Sequence, residues 1–253
     1  MLILLPPSET KRDGGEGAPL DVSKLAFAEL TGLREHVLER VVELAADADA
    51  MMRALKLGPR LAVEVERNRA LRTAPTLATI DRYTGVLFDA LDASTLDAAS
   101  RSFAAGTVMV HSALFGFVGA LDQIPAYRLS HDSRLPGLVL RRHWQAALAQ
   151  RLREHVGVIV DLRSEGYADL GPAPVRPGSV FVRVVAEDSD GRRRALNHFN
   201  KQAKGRFTRA FLASRPQIDS VGDLMDWSVE AGFTLELKAG PADDAPTELE
   251  LVA

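Results

Sequence analysis

The sequence predicts a mixed α/β fold, α+β in broad class, with a central mixed sheet flanked by helices in one compact domain over residues 1–253. Three observations predict it. The runs Leu2-Ile3-Leu4-Leu5, Val108-Met109-Val110 and Val158-Ile159-Val160 are short and wholly apolar, the pattern of strands buried on both faces. Val180, Val182 and Val184 alternate with Phe181, Arg183 and Val185, and Phe233 to Leu237 alternate more cleanly, so these are strands with a wetter face. Leu33, Val37, Val41, Leu44, Ala48, Met51 and Leu55 fall on one helical stripe, and Leu140, Trp144, Leu148 and Leu152 on another.

A chain of 253 residues with 46% hydrophobic content can bury one sizeable core. It has no cysteine, which excludes disulfides, thiolate metal sites and a thiol-based peroxidase mechanism. No apolar run reaches the roughly 18 residues that span a bilayer, and Leu2 to Leu5 lacks the basic flank of a signal peptide. The expectation is a cytoplasmic protein without a membrane partner. The net charge of -3 hides an uneven distribution. Arg192, Arg193, Arg194, His198, Lys201, Lys204, Arg206 and Arg209 follow one another without a carboxylate, and an acidic tail running from Asp219 to Glu250 offsets them.

Each apolar strand leads into polar residues: Pro6-Pro7-Ser8-Glu9-Thr10-Lys11, His111-Ser112, and Asp161-Leu162-Arg163-Ser164-Glu165-Gly166-Tyr167. If the three strands are adjacent and parallel, their carboxyl ends share one edge, where open α/β sheets place ligand crevices. The same residues also suit plainer work. Ser8, Ser112 and Ser164 are helix-capping types, and Glu9, Asp161 and Glu165 are common in solvated turns.

Asn197 to Leu212 reads as a turn into a helix, with Lys201 and Lys204 one turn apart. Such a face suits phosphate oxygens, helped by free N–H groups near Asn200, and Gly205 would let a phosphodiester backbone approach. A solvated helix balancing the acidic tail has the same pattern. Metal and nucleotide signatures are missing: there is no HExxH, no histidine pair at i, i+4, no GxxxxGK[ST] and no GxSxG. No metal or cofactor is expected.

Several segments together resemble the YaaA peroxide-stress family. They are Met1 to Leu5 with the proline loop, Tyr83-Thr84-Gly85-Val86 through Ala93, and Ser112-Ala113-Leu114-Phe115-Gly116 followed by Leu121-Asp122 and Tyr127-Arg128-Leu129. Trp144, the strand ending Asp161-Leu162-Arg163-Ser164 with Tyr167 beyond it, and Phe199-Asn200-Lys201 into Ala203-Lys204-Gly205 complete the series. The resemblance implies a positively charged cleft, a helix-hairpin-helix-like element, binding of duplex and unpaired DNA, and protection from peroxide damage, including lower free intracellular iron.

Carried over residue by residue, the resemblance implies a cleft formed by Ser112, Asp122, Tyr127, Arg128, Ser164, Tyr167, Lys201 and Lys204. Ser8 and Asp161 lie on the same strand-end segments. Arg128, Lys201, Lys204, Arg209 and Lys11 are the expected phosphate-binding cations, Tyr127 and Tyr167 the expected stacking rings, and Asp122 is expected either to orient Arg128 or to accept a base N–H. Two departures stand out. Glu9 replaces a cation common in the family, with Lys11 two positions later, and Gly119-Ala120 replace an Arg-Pro pair. Each lost phosphate contact removes about one unit of salt slope.

Two functional expectations follow. One is an oxidative-stress protein that binds DNA through a basic cleft. The other is an enzyme acting on a nucleotide or phosphosugar in the same cleft, with Glu9, Asp122 or Glu165 supplying acid–base chemistry.

Overall fold

In the computed structural model, strand β1 (Leu2–Leu5) lies between β3 (Val108–Ser112) and β6 (Ile159–Asp161) and is parallel to both. The three apolar runs are therefore neighbours, pairing Ile3 with Val108 on one side and Leu2 with Ile159 on the other. The structure describes residues 1–187, 193–195, 199–238, 240 and 247–252. The side chains of 187, 193–195 and 199 are outside this description.

The main sheet runs β4-β3-β1-β6-β7-β10-β9, with β8 paired to β7. Here β4 is Gly116–Gly119, β7 Ser179–Glu187, β8 Arg193–Ala195, β9 Thr234–Lys238 and β10 Thr247–Val252. The five strands from β3 to β10 are parallel, and β4 and β9 close the edges antiparallel. A separate short ladder joins β2 (Leu77–Ala78) to β5 (Gln123–Ile124). The expected mixed sheet flanked by helices is the observed architecture. The tail contributes a strand: Leu249 and Leu251 of β10 are buried, and Glu248 on the other face pairs with Arg183 of β7 at 2.7 Å. Asp243 and Asp244 of the acidic tail lie outside the described residues, as do Arg192 and His198 of the basic stretch.

The helices are α1 (Thr31–Ala46), α2 (Ala48–Ala54), α3 (Val63–Arg69), α4 (Thr79–Arg82), α5 (Val86–Leu91), α6 (Ala98–Thr107), α7 (Leu140–Glu154), α8 (Glu165–Ala168), α9 (Phe199–Ser214) and α10 (Val221–Glu230). The stripe from Leu33 to Leu55 is divided between α1 and α2 at Asp47. Its backbone is extended and its carboxylate accepts from the Ala50 N–H, so a capping side chain interrupts a continuous apolar pattern. Trp144 of α7 packs fully buried and donates its indole N–H to the Ala113 carbonyl at 2.9 Å. Among the described residues, no helix is long and apolar enough to cross a membrane.

Candidate functional site at the carboxyl edge of the sheet

Parallel pairing of β3, β1 and β6 brings their carboxyl ends to one edge. A cavity of about 360 Å³ opens there. The loop after β1 lines it with Pro6, Pro7, Ser8 and Glu9, and the segment after β6 lines it with Ser164 and Tyr167. The first turns of α9 supply Asn200, Lys201 and Lys204, and Leu129, Ser130 and His131 close it. A second cavity of about 280 Å³ lies across the Pro6–Glu9 loop, walled by Thr84 to Phe88 and again by Lys201. The loop is thus a partition with a cavity on each side, and Lys201 faces both.

Lys204 is 6% exposed. Burial pulls its pKa down to about 8; Asp161 opposes that shift and Arg183 adds to it. Its hydrogen-bond partner is the Arg163 carbonyl, at 3.5 Å. Asp161 is itself committed elsewhere: both of its oxygens accept from Arg163, at 2.8 and 2.6 Å, in a fully buried pair. Arg163 also donates to His111 Nδ1 at 2.8 Å and to the Gly171 carbonyl at 2.9 Å. Asp161 is therefore a buried ion-pair partner beneath the cleft and does not line it.

The segment after β3 does not form a cleft wall. Ser112 is fully buried, and its Oγ accepts from the N–H groups of Leu114 and Phe115 while sharing a 2.7 Å hydrogen bond with the Tyr127 hydroxyl. Tyr127 in turn bonds the Tyr83 hydroxyl at 2.6 Å and is 1% exposed, so it has no free face for stacking on a base. The tight turn after Ser112 reverses the chain into β4, and the Tyr127–His131 segment takes the vacant place at the edge.

Lys11 also departs from expectation. Its ammonium lies 4.1 Å from the Tyr127 ring centroid and donates to the carbonyls of Ser8 and Glu9 at 2.9 and 3.3 Å. Burial drives its pKa down to about 7, against the attraction of Glu64. It stands beneath the Pro6–Glu9 loop as a strut and lines neither of the two cavities.

Arg209, Asp122, Arg128 and Glu165 do not line the cleft and have partners of their own. Arg209 donates to the carbonyls of Leu91 and Asp92 at 3.0 and 2.8 Å, closing the end of α5. Asp122 lies near the opposite edge, because β4 runs antiparallel to β3 and returns the chain there. Its carboxylate accepts from Ala26 and Gly119 N–H groups at 2.7 and 2.8 Å, and it lines a separate cavity. It does not orient Arg128, whose partner is Glu9 at 2.6 Å. Glu165 pairs with Arg183 at 3.0 Å.

Gly205 is not a phosphate approach either. A Cβ there would stand 2.2 Å from the Leu87 carbonyl oxygen, so this glycine lets α9 press against α5 and fixes where Lys201 and Lys204 point. Gly166 has a similar use, because a Cβ would meet His131 Cε1 at 2.4 Å. That close approach seats the His131 ring edge-on to Tyr167, with centroids 5.0 Å apart. Of the expected residues, Ser8, Glu9, Ser164, Tyr167, Lys201 and Lys204 meet in the cleft. Ser130 and His131 were not expected; their only signal is the polar run that follows Tyr127-Arg128-Leu129.

Comparison with known proteins agrees with the resemblance. The family model described as "Peroxide stress protein YaaA" matches residues 1–238. A UPF0246 protein of Corynebacterium efficiens is 42% identical over 245 residues, covering 95% of this chain and 96% of its own length. One from Streptomyces coelicolor is 39% identical over 258 residues, covering 100% of this chain and 98% of its own length. With the family model spanning most of the sequence and such relatives matching nearly end to end, this chain belongs to the YaaA peroxide stress protein family.

Proposed function

We propose that this chain acts in the peroxide-stress response by holding the phosphate backbone of unpaired DNA in the cleft at the carboxyl edge of the sheet. The observation that carries this reading is the placement of Lys201 and Lys204 on one face of α9. Both line the larger cavity, and Lys201 also lines the smaller one, so two hollows follow each other past a shared cation. Each has roughly the volume of a single small ligand. That suits successive nucleotides of an open strand better than a duplex, with His131 and Tyr167 giving one cavity an aromatic lining.

The turn between α5 and α6 carries Asp92 and Asp97. Two carboxylates make a poor phosphate cradle, which turns the reading toward the cleft.

A specific observation favours the second reading, a small phosphorylated ligand such as a nucleotide or phosphosugar. Arg128, Arg209 and Lys11 have internal partners, which leaves Lys201 and Lys204 as the lysine or arginine side chains lining the larger cavity among the described residues. Two cations give a shallow salt dependence, and for an enzyme Glu9 would be the carboxylate at hand.

Fluorescence anisotropy with single-stranded, bubble and duplex DNA at two salt concentrations tests the first reading, and thermal shift with mononucleotides and sugar phosphates tests the second. Salt-sensitive binding that ranks single-stranded and bubble above duplex supports the proposal. Binding of a mononucleotide with none to any DNA replaces it with the second reading, and absence of both overturns the cleft as a phosphate site.

A further inference from the structure

Lys204 is placed to react as well as to attract. Lys204 lines a cavity open to solvent, yet it is 6% exposed, and among the described residues its one hydrogen bond, to the Arg163 carbonyl, is at the 3.5 Å limit. Asp161, the nearby carboxylate that draws it, gives both oxygens to Arg163. Among the described residues, no carboxylate forms an ion pair with Lys204. A buried ammonium without an ion-pair partner is costly, and burial favours the neutral amine, which carries the lone pair a nucleophile needs. Lys11, the other buried lysine, is capped by two carbonyls and an aromatic ring and lies outside the cavity.

We infer that Lys204 captures aldehydes carried on phosphorylated sugars, its Nζ forming an imine with the aldehyde carbon while Lys201 holds an adjacent phosphate. The inference rests on reading the cleft as a phosphate site and names the chemical class it takes. Deoxyribose that has lost its base within DNA and a free sugar phosphate both present this chemistry.

The step balances without a co-reactant. The Nζ lone pair attacks the carbonyl carbon, the C=O π electrons move to oxygen, and a proton passes from nitrogen to that oxygen. The carbinolamine then expels its oxygen as water, taking a second nitrogen proton, and the nitrogen lone pair completes the C=N bond. The Ser164 and Tyr167 hydroxyls sit on the walls of the same cavity, and burial keeps the Tyr167 phenol protonated.

The test is borohydride trapping followed by peptide mass mapping. The full chain is treated with sodium borohydride and, in separate arms, a single-stranded oligonucleotide bearing one abasic aldehyde, the same oligonucleotide intact, or 2-deoxyribose 5-phosphate. The expected result is a reduced adduct on the Lys204 peptide in the abasic and sugar-phosphate arms and none in the intact arm. Its yield should rise through about pH 8 and fall when inorganic phosphate competes. The faster of the two reactive arms identifies the polymer or the free sugar as the source.

Lys204→Arg should lose the adduct, because a guanidinium forms no such imine. Should that variant fail to fold, the wild-type peptide map and pH profile decide the matter. Adducts spread over exposed lysines such as Lys24, or no adduct at all, overturn the inference. Anisotropy of the intact oligonucleotide on the same wild-type preparation separates the two failures. Binding without trapping sinks aldehyde capture alone, and loss of binding and of trapping in every arm sinks the phosphate site with it.

Discussion

Glu9 Oε2 accepts a hydrogen bond from Arg128 Nη2 at 2.6 Å, between residues 119 positions apart in the chain. The guanidinium is 14% exposed and the carboxylate 63%, so Arg128 lies under a carboxylate that faces solvent. Glu9 lines the cleft and its carboxylate neutralises Arg128, the cation next to it. Glu9→Gln removes that charge. It should tighten binding of single-stranded DNA several-fold at low salt and steepen the salt slope by about 0.7, one phosphate contact for an unpaired strand. An unchanged slope would mean that Arg128 does not face the ligand.

Lys11 makes stability depend on pH in a definite direction. Its pKa falls from 10.5 to about 7 on folding, so between those values the unfolded chain binds more protons than the folded one. Stability therefore rises as pH rises through this window and is independent of Lys11 below it. Lys204, lowered to about 8, acts in the same sense above that pH. Urea unfolding at pH 7 and pH 9 should give wild type a gain on the order of 1–3 kcal/mol. Lys11→Met should show a clearly smaller gain.

Asp161→Asn should destabilise the fold by about 3–5 kcal/mol, because the fully buried Arg163 loses its counter-charge. The urea midpoint reports this. The same change removes the carboxylate that supports the Lys204 ammonium, so the pH at which Lys204 becomes reactive should fall as well.

The sheet was legible because its central strands are apolar on both faces, a pattern with few other solutions. Their shared carboxyl edge followed once β3, β1 and β6 proved to be neighbours. Lys201 and Lys204 were legible because helical spacing puts both on one side of α9. The rest depended on partners distant in sequence. Nothing near Arg128 announces Glu9, nothing near Tyr127 announces that Tyr83 and Ser112 will bury its hydroxyl, and Gly205 looks open until α5 packs against it. Asp122 misled because its motif is local, whereas the edge it reaches is set by the reversal of β4.

If the cleft holds phosphate, Lys201 is the cation that meets it from either cavity. The most direct measurement is the salt dependence of single-stranded DNA binding by wild type and by Lys201→Gln, whose altered side chain lies at the boundary of both cavities. The variant should bind more weakly, with a slope of log K against log salt shallower by about 0.7. Equal slopes and equal affinities would contradict this role of Lys201.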